Sequence, residues 1–224
     1  MKMELPVTQI KICGLTRMED AKLAMALGAW ALGFIFYSKS PRFVSSTQVK
    51  DILAALNLHP NRSSLRATSI RTVGVFVNPS LAELEKAVSE SGINTIQLHG
   101  NESREFCALV RKNFPQAQIT KAFRLDETLT VIDSKNYDYQ LIDSHTPDAW
   151  GGTGRVADWE KAAKLGGKAL ILAGGLTPEN VAQAIQQVKP FAVDVSSGVE
   201  SAPGIKSEQK LKDFFKAAKG NVSA

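Results

Sequence analysis

A chain of 224 residues with 44% hydrophobic and 22% charged side chains has the composition of a globular protein with a sizeable interior, which sets aside disordered and low-complexity architectures. Its formal net charge of +5 comes from lysines and arginines that mostly alternate with acids, so no basic stripe for nucleic acid is present; the excess fits attraction of a small anionic substrate or plain solubility. No stretch approaches the roughly 20 apolar residues of a membrane span, and two distant cysteines, Cys13 and Cys107, form neither a metal-ligand spacing nor a disulfide framework.

In chain order, residues 8–13 form a short β-rich run, and 18–27 carry apolar residues at helical spacing behind an acidic first turn. Residues 32–36 give a second strand, followed by a helix that Ser46 or Thr47 caps, with Val49, Ile52, Leu53 and Leu56 on one face. The polar stretch 58–69 reads as a long surface loop. A third strand follows at 72–77, then a helix to Ser91 begun by Asn78 and Pro79, with proline in the first turn where its missing amide hydrogen matters little. Next come a strand at 95–98, a helix at 102–112, a strand at 118–123, a weak helix at 126–134 and a strand at 139–143. A Gly-rich stretch, 144–155, leads to a helix at 157–165. Strands at 168–172 and 191–195 flank a helix at 178–187, and a helix at 207–219 ends the pattern.

Eight strands alternating with eight helices in units of about 25–30 residues predict an α/β fold, a single (β/α)8 TIM barrel domain spanning the chain. Periodicity cannot show closure, so an open doubly wound sheet is the alternative. In a barrel, chemistry sits at the C-terminal ends of the strands. Strand one ends in Lys11-Ile12-Cys13-Gly14-Leu15-Thr16-Arg17, which places a thiol at the rim, where an ionised cysteine can act as a base. Strand two ends in a basic loop with Lys39 and Arg42, strand four in Gln97-Leu98-His99-Gly100, and strand six in Asp143. Trp150-Gly151-Gly152-Thr153-Gly154, Ala173-Gly174-Gly175 and Asp194-Val195-Ser196-Ser197-Gly198 follow strands six, seven and eight; glycines and hydroxyls running toward helix starts suit phosphate held by backbone amides.

These junctions resemble the motif set of the phosphoribosylanthranilate isomerase family, over Lys11 to about Lys206. The Gly-rich loops are shared by many phosphate-binding barrels, whereas the Ile12–Arg17 run and the Gln97–Gly100 junction are similar to this family in particular. The resemblance implies an Amadori rearrangement of N-(5-phosphoribosyl)anthranilate in tryptophan biosynthesis, without metal or organic cofactor. By the resemblance, Asp143 is the general acid that protonates the ring oxygen, and Cys13 is the base that removes the proton from carbon 2. Arg42 is expected on the anthranilate carboxylate, since a guanidinium fork matches a carboxylate in two hydrogen bonds. The amides around Gly154, Gly175, Ser197 and Gly198 are expected on the phosphate, and His99 is either a substrate contact or a structural histidine.

The chemistry needs a protonated Asp143 and an ionised Cys13, although ordinary values of about 3.9 and 8.5 lie the other way round. Apolar Leu141 and Ile142 are expected to raise the first, and nearby cations to lower the second. Alternation places Lys11 on the same side of strand one as Cys13, and closure brings Asp194 beside it; the expected Lys11–Asp194 pair supports the floor and biases Cys13 towards thiolate. The bland readings are a buried small hydrophobe for Cys13 and a loop cap for Asp143, and Cys107 sits on an apolar helical face as such a hydrophobe.

The histidine-pathway isomerase resembles a two-aspartate design, against which Cys13 stands, and an epimerase would want a metal cluster that three histidines scarcely supply. A non-catalytic phosphate-binding barrel would be free to lose the acid–base pair. The expected setting is the cytoplasm, as a monomer or homodimer whose partner is a small phosphosugar rather than a nucleic acid or membrane.

Overall fold

The computed structural model describes residues 7–58, 70–124, 135–143, 159–165 and 169–220. Eight parallel strands close on themselves in sequence order: β1 (Gln9–Ile12), β2 (Ala31–Ile35), β3 (Arg71–Phe76), β4 (Thr95–Leu98), β5 (Gln118–Arg124), β6 (Tyr139–Asp143), β7 (Leu170–Leu172) and β8 (Ala192–Val195). The seam is β1 against β8, where Lys11 lies opposite Asp194. Closure excludes the open sheet.

Among the described residues, helices α1 (Met18–Ala26), α2 (Ser46–Ala55), α3 (Leu81–Ser91), α4 (Arg104–Asn113), α5 (Trp159–Leu165), α6 (Val181–Val188) and α7 (Glu208–Lys219) follow every barrel strand except β5. The helix expected at 126–134 lies outside the described residues, as do nearly all of the 58–69 loop and the Gly-rich stretch 144–155 with Trp150 and Gly154. A short hairpin of β9 (Glu200–Ala202) and β10 (Ile205–Lys206), which periodicity does not predict, separates β8 from α7. Among the described residues no helix is long and apolar enough to cross a membrane.

Alternation sorts the core into two layers. On β1, Ile10 and Ile12 face outward into the layer shared with the helices, where Leu32, Phe34, Ile96, Leu98, Ile142 and Val193 also lie. Cys13, Ala31, Val73 and Val75 face the barrel interior on one side, and Ala122, Leu141, Ile171 and Ala192 on the other. Strands buried on both faces read as near-continuous apolar runs, which is why their period is short of contrast in the sequence. Trp30, Tyr139 and Phe191, all at strand starts, pack edge-to-face or stacked at 5.2–5.4 Å, with the Arg71 guanidinium 4.8 Å over Trp30. This plug fills the N-terminal end of the barrel and leaves the other end for ligands.

Several helix starts differ from expectation, α6 by beginning at Val181 rather than 178. Ser45, not Ser46 or Thr47, caps α2, because only Ser45 has a glutamine three residues on: Gln48 donates its amide to Ser45 and accepts from it in return. Ser80 caps α3 with Glu83 in the same reciprocal way, so Pro79 precedes the helix rather than filling its first turn. Ser103 caps α4, and Glu102 turns away from the helix to meet Lys121 at 2.7 Å. That lysine, buried under α4, also donates to the Gly100 carbonyl at 2.8 Å and so fastens the turn that follows β4.

Candidate active site

The C-terminal ends of the strands surround a cleft that opens to solvent on one side. Cys13, Arg42, His99, Asp143, Gly175, Ser197 and Gly198 all line it, and Asp194 reaches its floor. Gly154 lies outside the described residues.

Cys13 sits just beyond β1, buried, with its amide donating to the Val195 carbonyl. Gly33 on β2 makes room for it, since a Cβ there would stand 2.9 Å from the sulfur and 3.0 Å from the Cys13 Cα. Below it Lys11, fully buried, donates to Asp194 Oδ2 at 2.5 Å. The thiol departs from expectation in one respect. Burial is the largest influence and pushes the Cys13 thiol above its ordinary value; Lys11 and Lys206 draw it down without offsetting burial, and Asp194 pushes it further up. The Lys11–Asp194 pair therefore does not bring the thiol below its ordinary value, because burial outweighs the pull of Lys11 and Asp194 opposes that pull. Lys11, despite its burial, is held above the ordinary lysine value by Asp194 and by Cys13.

Across the cleft, Asp143 ends β6. Its Oδ2 lies 3.3 Å from His99 Nε2, and its Oδ1 is buried without a partner among the described residues. Gln97 Nε2 lies 2.9 Å from His99 Nδ1. An amide nitrogen donating there makes Nδ1 the acceptor, so the neutral imidazole carries its proton on Nε2 and points it at Asp143. Of the two apolar neighbours expected to desolvate Asp143, Leu141 faces the barrel interior and Ile142 the helix layer.

The Arg42 guanidinium does not stand alone at the rim. Nε donates to Glu200 at 2.9 and 3.1 Å and Nη2 at 2.7 Å, a side-on fork that the sequence reading missed. Lys206, with its side chain wholly buried, donates to the same carboxylate at 2.8 Å. Burial alone would push Glu200 up, yet the Arg42 hydrogen bonds and the Lys206 charge hold it below the ordinary carboxylate value. No periodicity marks Glu200 or Lys206, and only the folded hairpin brings them to the rim.

The loops after β7 and β8 touch, through the close approach of Gly198 to Leu176. Gly174 and Gly175 have φ of +89° and +65°, and Asn180 holds the turn by accepting from Thr177 N at 2.8 Å and donating to Gly175 O at 2.9 Å. Ser197–Val199 forms a short 3-10 turn whose opening amides lack partners within the turn, a geometry that suits an anion.

A closed parallel barrel with a thiol, a carboxyl and a fixed guanidinium around one mouth defines an enzyme of the (β/α)8-barrel class. The model of the N-(5'-phosphoribosyl)anthranilate isomerase family matches residues 10–217, and the chain belongs to that family. A relative bearing that enzyme name from Geotalea uraniireducens is 42% identical over 96% of this chain and all of its own. The phosphoribosyl anthranilate isomerase of Thermus thermophilus superposes with a TM-score of 0.81 at 33% identity, over 96% of this chain and 100% of that one. Another structure of such an enzyme, in complex with reduced 1-(o-carboxyphenylamino)-1-deoxyribulose 5-phosphate, gives 0.73 at 33% identity, covering 95% of this chain and 99% of the other.

Proposed function

We infer that this chain isomerises N-(5-phosphoribosyl)anthranilate to 1-(2-carboxyphenylamino)-1-deoxyribulose 5-phosphate in tryptophan biosynthesis, with the whole chain acting as one barrel domain. The observation that carries the reading is that Cys13 and Asp143 line one cleft together with Arg42 and the glycine loops after β7 and β8.

In this reading the amides around Gly154, Gly175, Ser197 and Gly198 hold the phosphate, and Arg42 takes the anthranilate carboxylate. Asp143 gives a proton to the ring oxygen. The C1–O bond breaks as the anilino nitrogen supplies its electron pair, forming an iminium. Cys13, as thiolate, removes the C2 proton, and the C2–H electrons move to neutralise the iminium, leaving an enolamine that tautomerises to the ketone. The substrate nitrogen is the electron sink, so the reaction asks for no cofactor. His99, on Oδ2 of Asp143, supports the carboxylate once the proton has left.

Because burial raises the Cys13 thiol, the thiolate that the reaction needs is a minority form. Lys11 and Lys206 enlarge that minority, and the cationic iminium beside C2 adds a further pull on the thiol proton. Asp194 keeps Lys11 charged. Two free, buried cysteines suit the reducing cytoplasm.

Loss of phosphoribosylanthranilate fluorescence tests the reading with wild type, Cys13→Ser and Asp143→Asn. Wild type turns over and both variants fall by several orders of magnitude. A silent wild type defeats the function, and full-rate turnover by Asp143→Asn defeats the mechanism.

A further inference from the structure

Arg42 has two faces that can grip a carboxylate in parallel hydrogen bonds: side-on through Nε and Nη2, and end-on through Nη1 and Nη2. The side-on face is already filled, by Glu200 at 2.7–3.1 Å. Nη1 makes no hydrogen bond among the described residues. The plane of the guanidinium is thus set by Glu200, and the end-on face is what remains for a ligand.

Glu200 is itself fastened on several sides. Lys206 Nζ donates to its Oε1 at 2.8 Å and to the Ser196 carbonyl at 3.1 Å, and the Gly204 amide donates to Oε1 at 3.3 Å. The Lys206 amide donates to Asp20 on α1 at 3.0 Å, and Thr16 donates to the Gly204 carbonyl at 2.6 Å, which ties the hairpin to the loop after β1. The stem of Arg42 lies over Gly14, where a Cβ would stand 2.6 Å from its Cδ. The fork is therefore held from the hairpin above and the β1 loop below.

Charge decides what the third member does. Arg42 with Glu200 alone would be a neutral pair with little attraction for a second carboxylate. Lys206 restores a net single positive charge to the trio, so a carboxylate on the end-on face meets a cation. Glu200 also follows directly on the Ser197–Val199 turn, so one stretch of backbone carries both the fork support and the turn assigned to phosphate.

We propose that Glu200, backed by Lys206, is the positioning residue that makes Arg42 selective for substrates carrying an ortho-carboxylate, and that it sets the spacing between the two anionic ends of the substrate. The proposal rests on the assignment of Arg42 to the anthranilate carboxylate.

The test measures Kd, by calorimetry, for reduced 1-(2-carboxyphenylamino)-1-deoxyribulose 5-phosphate and for its counterpart made from aniline, which lacks the carboxylate. Wild type prefers the first ligand. Arg42→Ala abolishes the preference, and Glu200→Gln lowers it by about tenfold or more, in line with the loss of a charge-assisted bidentate contact. Affinity for the aniline ligand stays within about threefold of wild type in both, since a phosphate and a sugar do not meet the fork. Preference retained by Arg42→Ala overturns the assignment of Arg42 itself. Preference lost in Arg42→Ala but retained in Glu200→Gln overturns the positioning role alone, as does an equal weakening of both ligands, which marks Glu200 as purely structural. Lys206→Met, in which Glu200 keeps its fork but the trio loses its net charge, lowers the preference in the same direction and serves if Glu200→Gln does not fold; an unchanged preference there also overturns the proposal.

Discussion

Gly198→Ala puts the contact between the two glycine loops to a direct test. A Cβ at residue 198 would stand 1.9 Å from the Leu176 carbonyl oxygen and 3.3 Å from Thr177 Cα, both backbone. A relaxed carbon–oxygen contact is about 3.3 Å, so the loops must part by roughly 1.4 Å. Displacement of that size takes an amide hydrogen bond of about 2.9 Å well past the limit at which it still counts as one. Each charge-assisted bond lost is worth about 1.5–3 kcal/mol, so kcat/KM falls by about 10-fold or more for one bond and about 100-fold or more for two. Overpacking adds about 1–3 kcal/mol of destabilisation. The control is Gly220→Ala at the end of α7, where a Cβ meets nothing within 4 Å and φ is −65°. Fluorescence kinetics, competitive inhibition by inorganic phosphate and thermal melts of the three proteins decide the matter. A folded Gly198→Ala that is inhibited by phosphate as strongly as wild type refutes the reasoning, since the turn would then hold no phosphate.

Three other perturbations address the rest of the site. Lys206→Met removes a cation that draws the Cys13 thiol down, so the thiol moves further above its ordinary value; the alkaline limb of kcat/KM and the pH at which iodoacetamide labels Cys13 both shift upward, and an unmoved labelling curve counts against the electrostatic account. Gly33→Ala drives a methyl against Cys13 at 2.9–3.0 Å and displaces the sulfur, lowering kcat by about 10- to 100-fold with little change in KM, as read in the same fluorescence assay. Lys121→Met leaves the buried Glu102 with its amide donors but no counter-charge and destabilises the fold by about 3 kcal/mol in urea melts, while adding Glu102→Gln recovers most of the loss.

The alternation of strand and helix was legible because a parallel barrel repeats one unit, and the seam pairing followed from it. Once strand one and strand eight are neighbours and every second side chain points inward, Lys11 and Asp194 have few other places to go. The caps of α2 and α3 were legible too, through the serine-to-Gln48 and serine-to-Glu83 spacings, but a cluster of three cap-forming residues at 45–47 and a proline at 79 drew the reading aside. Glu102 misled for a physical reason. An acid at a helix start is the ordinary arrangement, and nothing local reveals that Lys121, on the next strand, needs a buried counter-charge.

What stayed hidden shares one property. Glu200 meets Arg42 across 158 positions of chain, and the hairpin that carries it has no period, only two short antiparallel runs. The proton affinity of Cys13 was hidden for a related reason. Counting nearby lysines suggests a lowered thiol, but the sign depends first on how deeply the sulfur is buried, and on Asp194 as well as Lys11, and neither depth nor distance is written in the spacing. Both cases separate two kinds of site information. Residue types at strand ends announce that chemistry occurs there. Which donors of Arg42 face the ligand, and in which protonation state Cys13 waits, are properties of contacts between loops after β1, β2 and β8. Closure of the barrel brings these loops together, and no segment specifies them alone.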